Sequence, residues 1–234
     1  MKKNFCILNG VRSDTLEGLM IQELPPVIKP PMRTQIEEID GRDGSIVTNL
    51  GYGAYEKEMI IGLYGDFNLD HIIEFFNSSG IAIFSNELDK IYQYQIMGSI
   101  DFERLAHFRV ATVTFYVQPF KHSSVEEEQE FTTSPVDVIN AGNIESMPVL
   151  TITGMGNVTI SLNGTAILVV ALGSNERTVV IDAEQMNAYH GTAFYNRSVA
   201  GDYDDLTLKK GKNTLSWSGG IVSSVKIDNY SRWI

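Results

Sequence analysis

The apolar positions along the chain fall mostly into the two-residue period of β-strands, with one stretch of helical period. Arg33 to Ile39 reads as a strand, and Met59 to Tyr64 as a buried one. Asn68 then fits a helix N-cap, with Leu69, Ile72, Ile73 and Phe76 on one face at the i, i+3, i+4, i+7 spacing. Gly80 fits the stop of that helix. Ile81 to Phe84 is a short strand, and Tyr92 to Phe102 and Phe108 to Gln118 are longer ones. In the last of these, Ala111, Val113, Phe115 and Val117 share one face, while Phe108, Val110 and Tyr116 share the other. A strand apolar on both faces belongs inside a packed layer or at a contact between subunits.

From residue 131 onward no helical period stands out. Val158, Ile160 and Leu162 alternate with Thr159, Ser161 and Asn163. Asn163-Gly164 follows, the dipeptide favoured in tight hairpins, with Ile167 to Ala171 as the return strand. Thr178 to Ile181, Leu215 to Trp217 and Val225 to Ile227 add short strands between Gly, Asn and Asp turns, the pattern of a β-sandwich. The strongest break is the polar, acidic run Ser123 to Glu130. It predicts two domains, 1–122 and 131–234.

Charge narrows the function more than composition does. The 234 residues carry a net charge of −11. Residues 1–120 hold 10 basic and 16 acidic side chains, and residues 121–234 hold 8 and 13, so neither half has the basic excess of a nucleic-acid binder. No apolar run reaches the ~20 residues of a membrane-spanning helix, and the start, Met1 to Leu8, is too short for a signal peptide. A single cysteine, Cys6, excludes an intrachain disulfide and any multi-cysteine zinc site.

Catalytic patterns are missing. There is no G-x-S-x-G elbow and no phosphate-binding P-loop. Gly51-Tyr52-Gly53 and Gly154-Met155-Gly156 lack the third glycine and helix of a dinucleotide site. His71, His107, His122 and His190 have no metal-ligand spacing. Asp202-Tyr203-Asp204-Asp205 lacks the glycine and distal glutamate of a calcium loop, and reads as a solvated turn. The expectation is a protein that is not an enzyme and uses no cofactor or metal. Lys209, Lys210 and Lys212 form the one dense basic cluster, a hairpin turn or a docking point for an acidic partner.

Several local patterns, taken in order, carry a resemblance. Leu8-Asn9-Gly10 opens the chain and Pro25-Pro26 and Pro30-Pro31 follow. A strand then leads into the turn Gly41-Arg42-Asp43-Gly44, and a further strand into the helix. Beyond the break come Asn140, Gly142, Ser146 and Pro148 in an N-x-G-x-x-x-S-x-P arrangement, and Gly211-Lys212-Asn213 before Leu215-Ser216-Trp217. The order resembles the phage distal tail protein family, which caps the tail tube of long-tailed phages, over nearly the whole chain.

The resemblance implies a mainly β fold: an N-terminal β-rich domain with one α-helix, then a galectin-like β-sandwich. It implies a virion protein made in the bacterial host cytoplasm, forming a homo-hexameric ring below the major tail tube protein. The ring would join the tube to the tail-associated lysin or hub protein and a receptor-binding protein, with DNA passing through unbound. The expected subunit interface is the turn Gly41, Arg42, Asp43 and Gly44 with Arg109, Val113 and Phe115 of the two-faced strand. The galectin sugar signatures H-x-N-x-R and W-x-x-E are missing. The rival reading, a carbohydrate-binding module or adhesin, would use exposed Trp217 or Trp233.

Overall fold

The alternation of the first half folds into a main antiparallel sheet with two helices and a separate two-stranded ribbon. The strands are β1 (Cys6–Leu8), β2 (Val11–Arg12), β3 (Leu19–Glu23), β4 (Met32–Glu38), β5 (Ser45–Tyr52), β6 (Tyr55–Leu63), β7 (Ser79–Phe84), β8 (Lys90–Ile96) and β9 (Val110–Ser123), with helices α1 (Leu69–Phe76) and α2 (Phe102–Phe108). This computed structural model describes residues 3–76, 78–97, 100–126 and 128–234. Two compact units emerge, Met1–Ser124 with Ile234 and Val125–Trp233. Glu127 of the acidic run and Gly98 and Ser99 of the expected strand 92–102 lie outside the described residues.

In the first unit the main sheet runs β2-β1-β7-β8-β9-β6-β3, and among the described residues β4 and β5 pair only with each other. Strict alternation puts Tyr55, Met59 and Ile61 of β6 and Val113, Phe115 and Val117 of β9 on the buried face. Phe84 and Tyr94 meet Phe115 edge-on at 5.5 Å. Ile72, Phe75 and Phe76 of α1 complete this core. Asn68 caps α1, its Oδ1 accepting from the His71 N–H at 3.3 Å.

Three expectations are corrected here. Gly80 does not stop α1, which ends at Phe76. It lies in β7, where the Asn9 side chain bridges Ser79 O and Ile81 N, and a Cβ on Gly80 would sit 2.1 Å from Asn9 Oδ1. The expected strand 92–102 ends at Ile96, and a second helix, α2, starts at Phe102. Of its side chains Leu105 is fully buried while Phe108 is 67% exposed, so its helical pattern is faint in the sequence. Arg109 ends α2 with a left-handed backbone, φ 62°, its N–H donating to Leu105 O at 2.8 Å, and turns the chain into β9.

The second unit contains β10 (Gln129–Phe131), β11 (Val136–Asn140), β12 (Val149–Met155), β13 (Asn157–Leu162), β14 (Thr165–Ala171), β15 (Arg177–Asp182), β16 (Asn187–His190), β17 (Ala193–Phe194), β18 (Val199–Gly201), β19 (Gly211–Ser218) and β20 (Ile221–Asp228). They form two sheets, β10-β20-β12-β15-β16-β17 and β11-β19-β13-β14-β18. Leu150, Ile152, Val179, Ile181 and Val225 from the first pack with Val158, Ile160, Leu168, Val170 and Leu215 from the second in one core. Asn163-Gly164 makes the two-residue β13–β14 turn, with φ 52° and 84°.

The spaced Asn, Gly and Ser near the start of this unit form a buried polar node. Asn140 Nδ2 donates to Ile144 O at 2.9 Å, and its Oδ1 accepts from Gly142 N at 2.8 Å. Ser146 Oγ donates to Tyr230 O at 2.8 Å. Asn213, also buried, ties the loop before β19 together through Lys209 N, Lys209 O and Gly211 O. The recurring spacing thus serves to satisfy buried backbone groups where the chain leaves the sheets.

Candidate functional site: an exposed hairpin arm

β4 and β5 form a two-stranded ribbon whose outer edges carry no further strand among the described residues. At ~3.3 Å per residue it is about 25 Å long. Every residue of β4 is exposed, as is every residue of β5 except half-buried Tyr52. Its composition is nonetheless that of a half-covered sheet. Ile36 pairs with Val47 on one face, 62% and 55% exposed, and Ile46, opposite Glu37, lies on the other. A hairpin alone is marginal in water, and two free edges with exposed β-branched side chains invite a further strand or surface.

The turn at the arm's tip holds Gly41 and Gly44, both with left-handed backbone, φ 79° and 81°. Arg42 N–H donates to Ile39 O at 3.1 Å, closing the turn. Among the described residues the side chains of Arg42 and Asp43 have no hydrogen bond or ion pair with the rest of the chain. An Arg and an Asp held out on a glycine-flanked turn are available for paired contacts elsewhere.

The base of the arm is fixed by a proline strap, residues 24–31, between β3 and β4. Pro25 and Pro30 are buried, whereas Pro26, Val27, Ile28 and Lys29 are exposed. Gly53 N donates to Pro31 O at 2.8 Å, and Tyr52 meets Phe120 edge-on at 5.9 Å. Below the strap lies a polar cluster. Lys57 is 2% exposed, and its Nζ donates to Pro26 O at 2.5 Å. The Lys57 ammonium also lies 4.9 Å from the Tyr92 ring centre and 5.8 Å from that of Tyr55. Glu87 accepts from Lys121 Nζ at 3.2 Å and from the Tyr92 hydroxyl. Burial pushes the Lys57 ammonium down to about 8, Glu87 pulling the other way and Lys121 adding to the fall. Burial likewise pushes the Tyr55 hydroxyl up to about 12.

The remaining expected site residues are scattered. Val113 and Phe115 are fully buried, so their side chains form core and are not available to a neighbouring subunit. The outward side of β9 falls instead to Thr112, Thr114 and Tyr116. Arg109 places its guanidinium 4.6 Å from the Phe67 ring centre, away from the arm's tip in sequence and sheet. In the second unit Lys209, Lys210 and Lys212 are all exposed, and Lys212 pairs with Asp137 at 2.9 Å. Asp202 caps a short turn through Asp204 N, and no group of three metal-binding side chains occurs among the described residues. Trp217 and Trp233 are half-buried, and Trp217 packs on the sandwich core. No helix among the described residues is long and apolar enough to cross a membrane.

The turn at the tip is marked in the sequence by its two glycines, whereas the cluster beneath the strap is not. Lys57 occupies the inward phase of β6, between Tyr55 and Met59, and a lone lysine in a buried strand phase was the available signal.

No family model and no curated protein matches the chain. Among solved structures it is similar to the crystal structure of the Dit protein, gp 19.1, of phage SPP1, described as a paradigm of the hub adsorption apparatus in phages that infect Gram-positive bacteria. The two share 16% identity with a TM-score of 0.72, each covered over 100% of its length. The phage P2 baseplate in its activated conformation with Ca is a more remote neighbour, at 11% identity and a TM-score of 0.46, covering 100% of this chain and 99% of that one. The chain thus shares its mainly β fold with that Dit protein over its full length.

Proposed function

We propose that this protein is a structural part of a phage tail tip, whose N-terminal unit forms a closed ring at the distal end of the tail tube. The observation that carries the reading is the arm: a free ribbon with Ile36 and Val47 exposed on it and Arg42 and Asp43 unengaged at its tip. A cyclic assembly needs two different complementary patches on each subunit, and the arm supplies one of them. The full-length likeness to a hub protein supports the same role.

In this reading six subunits close the ring, as the family resemblance implies. The tube protein would lie on one side, and a lysin or hub protein and a receptor-binding protein on the other. The net charge of −11 suits a passage that DNA must traverse without being held. Lys209 and Lys210 are the candidate contact for an acidic tail partner. The role is mechanical, with no reaction and no cofactor. Sedimentation velocity and negative-stain microscopy of the purified chain test it through the presence of a closed ring.

A second reading, a carbohydrate-binding module, draws on one feature of the sandwich. Phe194 is 72% exposed and lies 5.3 Å from Tyr189, their rings tilted by 34°. Aromatic faces of this kind stack on sugar rings. A monomer that binds glycans, and loses binding in Phe194→Ala, would favour it.

A further inference from the structure

We infer that Lys57 and Asn86 form a clamp that sets the direction of the hairpin arm, and that they act on ring assembly through that direction. The inference rests on the reading of the arm as a subunit contact.

Pro25 and Pro26 have no backbone N–H, so this part of the strap offers only acceptors to the body of the unit. Both carbonyls are taken by side chains from other elements. Asn86, in the turn between β7 and β8, donates from Nδ2 to Pro25 O at 2.9 Å. Lys57, on β6, donates from Nζ to Pro26 O at 2.5 Å. The two anchors are adjacent in the strap and come from residues 29 apart in sequence, so they fix its direction as well as its position.

The choice of lysine at residue 57 is costly, because burying an ammonium in an apolar layer loses its hydration. Its strand neighbours on the same face, Tyr55, Met59 and Ile61, are core residues, and an apolar side chain would fill this place too. An apolar side chain could not donate to Pro26 O. Glu87 and the Tyr92 and Tyr55 rings offset the buried charge, so the surroundings are built to keep a long donor there.

The strap is also stiff. Four of its eight residues are proline, each with a fixed φ. Only Val27, Ile28 and Lys29 separate the anchored Pro26 from buried Pro30, and Pro31, held by Gly53 N, leads directly into β4, so the strap is fixed at both ends. Besides the two anchors at Pro25 and Pro26, the arm's base is held by Gly53 N to Pro31 O and the Tyr52–Phe120 contact. In a ring each arm must meet its neighbour at one angle, and an angular spread at each contact prevents closure.

The test measures arm direction and assembly separately. Spin labels on Ser45→Cys, at the tip, and Glu58→Cys, on the outward phase of β6, report arm against body; Cys6 is fully buried and remains unlabelled. Electron–electron distance measurements are made on this pair alone and with Lys57→Met or Asn86→Asp added. Asn86→Asp keeps the size of the side chain and replaces the donor to Pro25 O with an acceptor. The unlabelled single variants are compared by sedimentation velocity and melting.

The expected result is a narrow distance distribution in the parent pair and a broadened one in both variants. Assembly should need roughly tenfold more protein, a shift of about 1.4 kcal/mol, with melting of Asn86→Asp close to wild type. An unchanged distribution in Asn86→Asp overturns the clamp, including when Lys57→Met fails to fold. A broadened distribution with unchanged assembly overturns its action on the ring. If the wild-type chain never assembles, the ring reading fails, and the distance distribution alone decides whether the clamp orients the arm.

Discussion

Ile36 and Val47 face each other across the arm as a cross-strand pair, both more than half exposed. Two β-branched side chains opposite one another are the natural centre of a buried sheet surface. Here nothing in the same unit covers them among the described residues. Replacing either with serine should leave the monomer's melting nearly unchanged, since a surface change away from core or caps is usually within about 0.5 kcal/mol. Burial of one such side chain at a contact contributes about 1.5–3 kcal/mol, so Ile36→Ser should weaken assembly by tenfold or more in sedimentation velocity.

Arg42→Ala should act in the same direction. The side chain has no intrachain partner among the described residues, so its loss costs the fold little. A desolvated contact across an interface is worth roughly 2–5 kcal/mol on truncation. The oligomer should shift toward monomer while the melting curve stays in place. A collapsed melting curve would instead assign Arg42 to the fold.

Gly142 makes a close approach that no other residue can reproduce. A Cβ there would lie 1.9 Å from the Arg232 carbonyl oxygen. Gly142→Ala should therefore destabilise the second unit by about 1–3 kcal/mol. Both tryptophans, Trp217 and Trp233, belong to that unit, so urea unfolding followed by tryptophan fluorescence reads the change.

Stability of the first unit should carry a signature of Lys57 in alkaline solution. The folded ammonium loses its proton near pH 8, against an ordinary value of 10.5. Between these values the unfolded chain binds more protons than the folded one, so this residue's contribution rises with pH. Cys6 and Tyr55, both pushed up to about 12 by burial, oppose it above roughly pH 9 and 10, because there the folded state retains protons that the unfolded state has lost. The difference between wild type and Lys57→Met isolates the lysine. It should move in favour of wild type from pH 8 to 10.5 in denaturation followed by circular dichroism.

Glu126 gives the opposite sign in the second unit. Burial raises its carboxyl to about 7 from an ordinary 4.5, against the pull of hydrogen bonds to Ser231 and the Tyr230 backbone. The folded state holds a proton that the unfolded state releases, so its contribution to stability falls as pH rises from 4.5 to 7. Glu126→Gln should flatten that fall in tryptophan-detected unfolding.

The strands of the sandwich and the helix after Asn68 were legible because a single buried face imposes a clean period. The arm was legible only as strand and turn. Ile36, Ile46 and Val47 are apolar residues left exposed on it, and alternation does not record whether the cover for such residues comes from the same chain. The same ambiguity misassigned β9: its two apolar faces suggested an interface at Val113 and Phe115, whereas that face is the core and Val110 lies on the other. α2 escaped because Leu105 is its only fully buried side chain among those described. The clamp was hidden because Lys57, Glu87 and Lys121 are brought together by pairing of distant strands, and nothing local marks their convergence.

Sedimentation velocity across a dilution series, read beside negative-stain images, tests the ring most directly. A closed ring predicts one large species at a six-fold multiple of the 26.0 kDa chain, with a central opening and no larger products. A monomer at every concentration, or open filaments that keep growing, would contradict it.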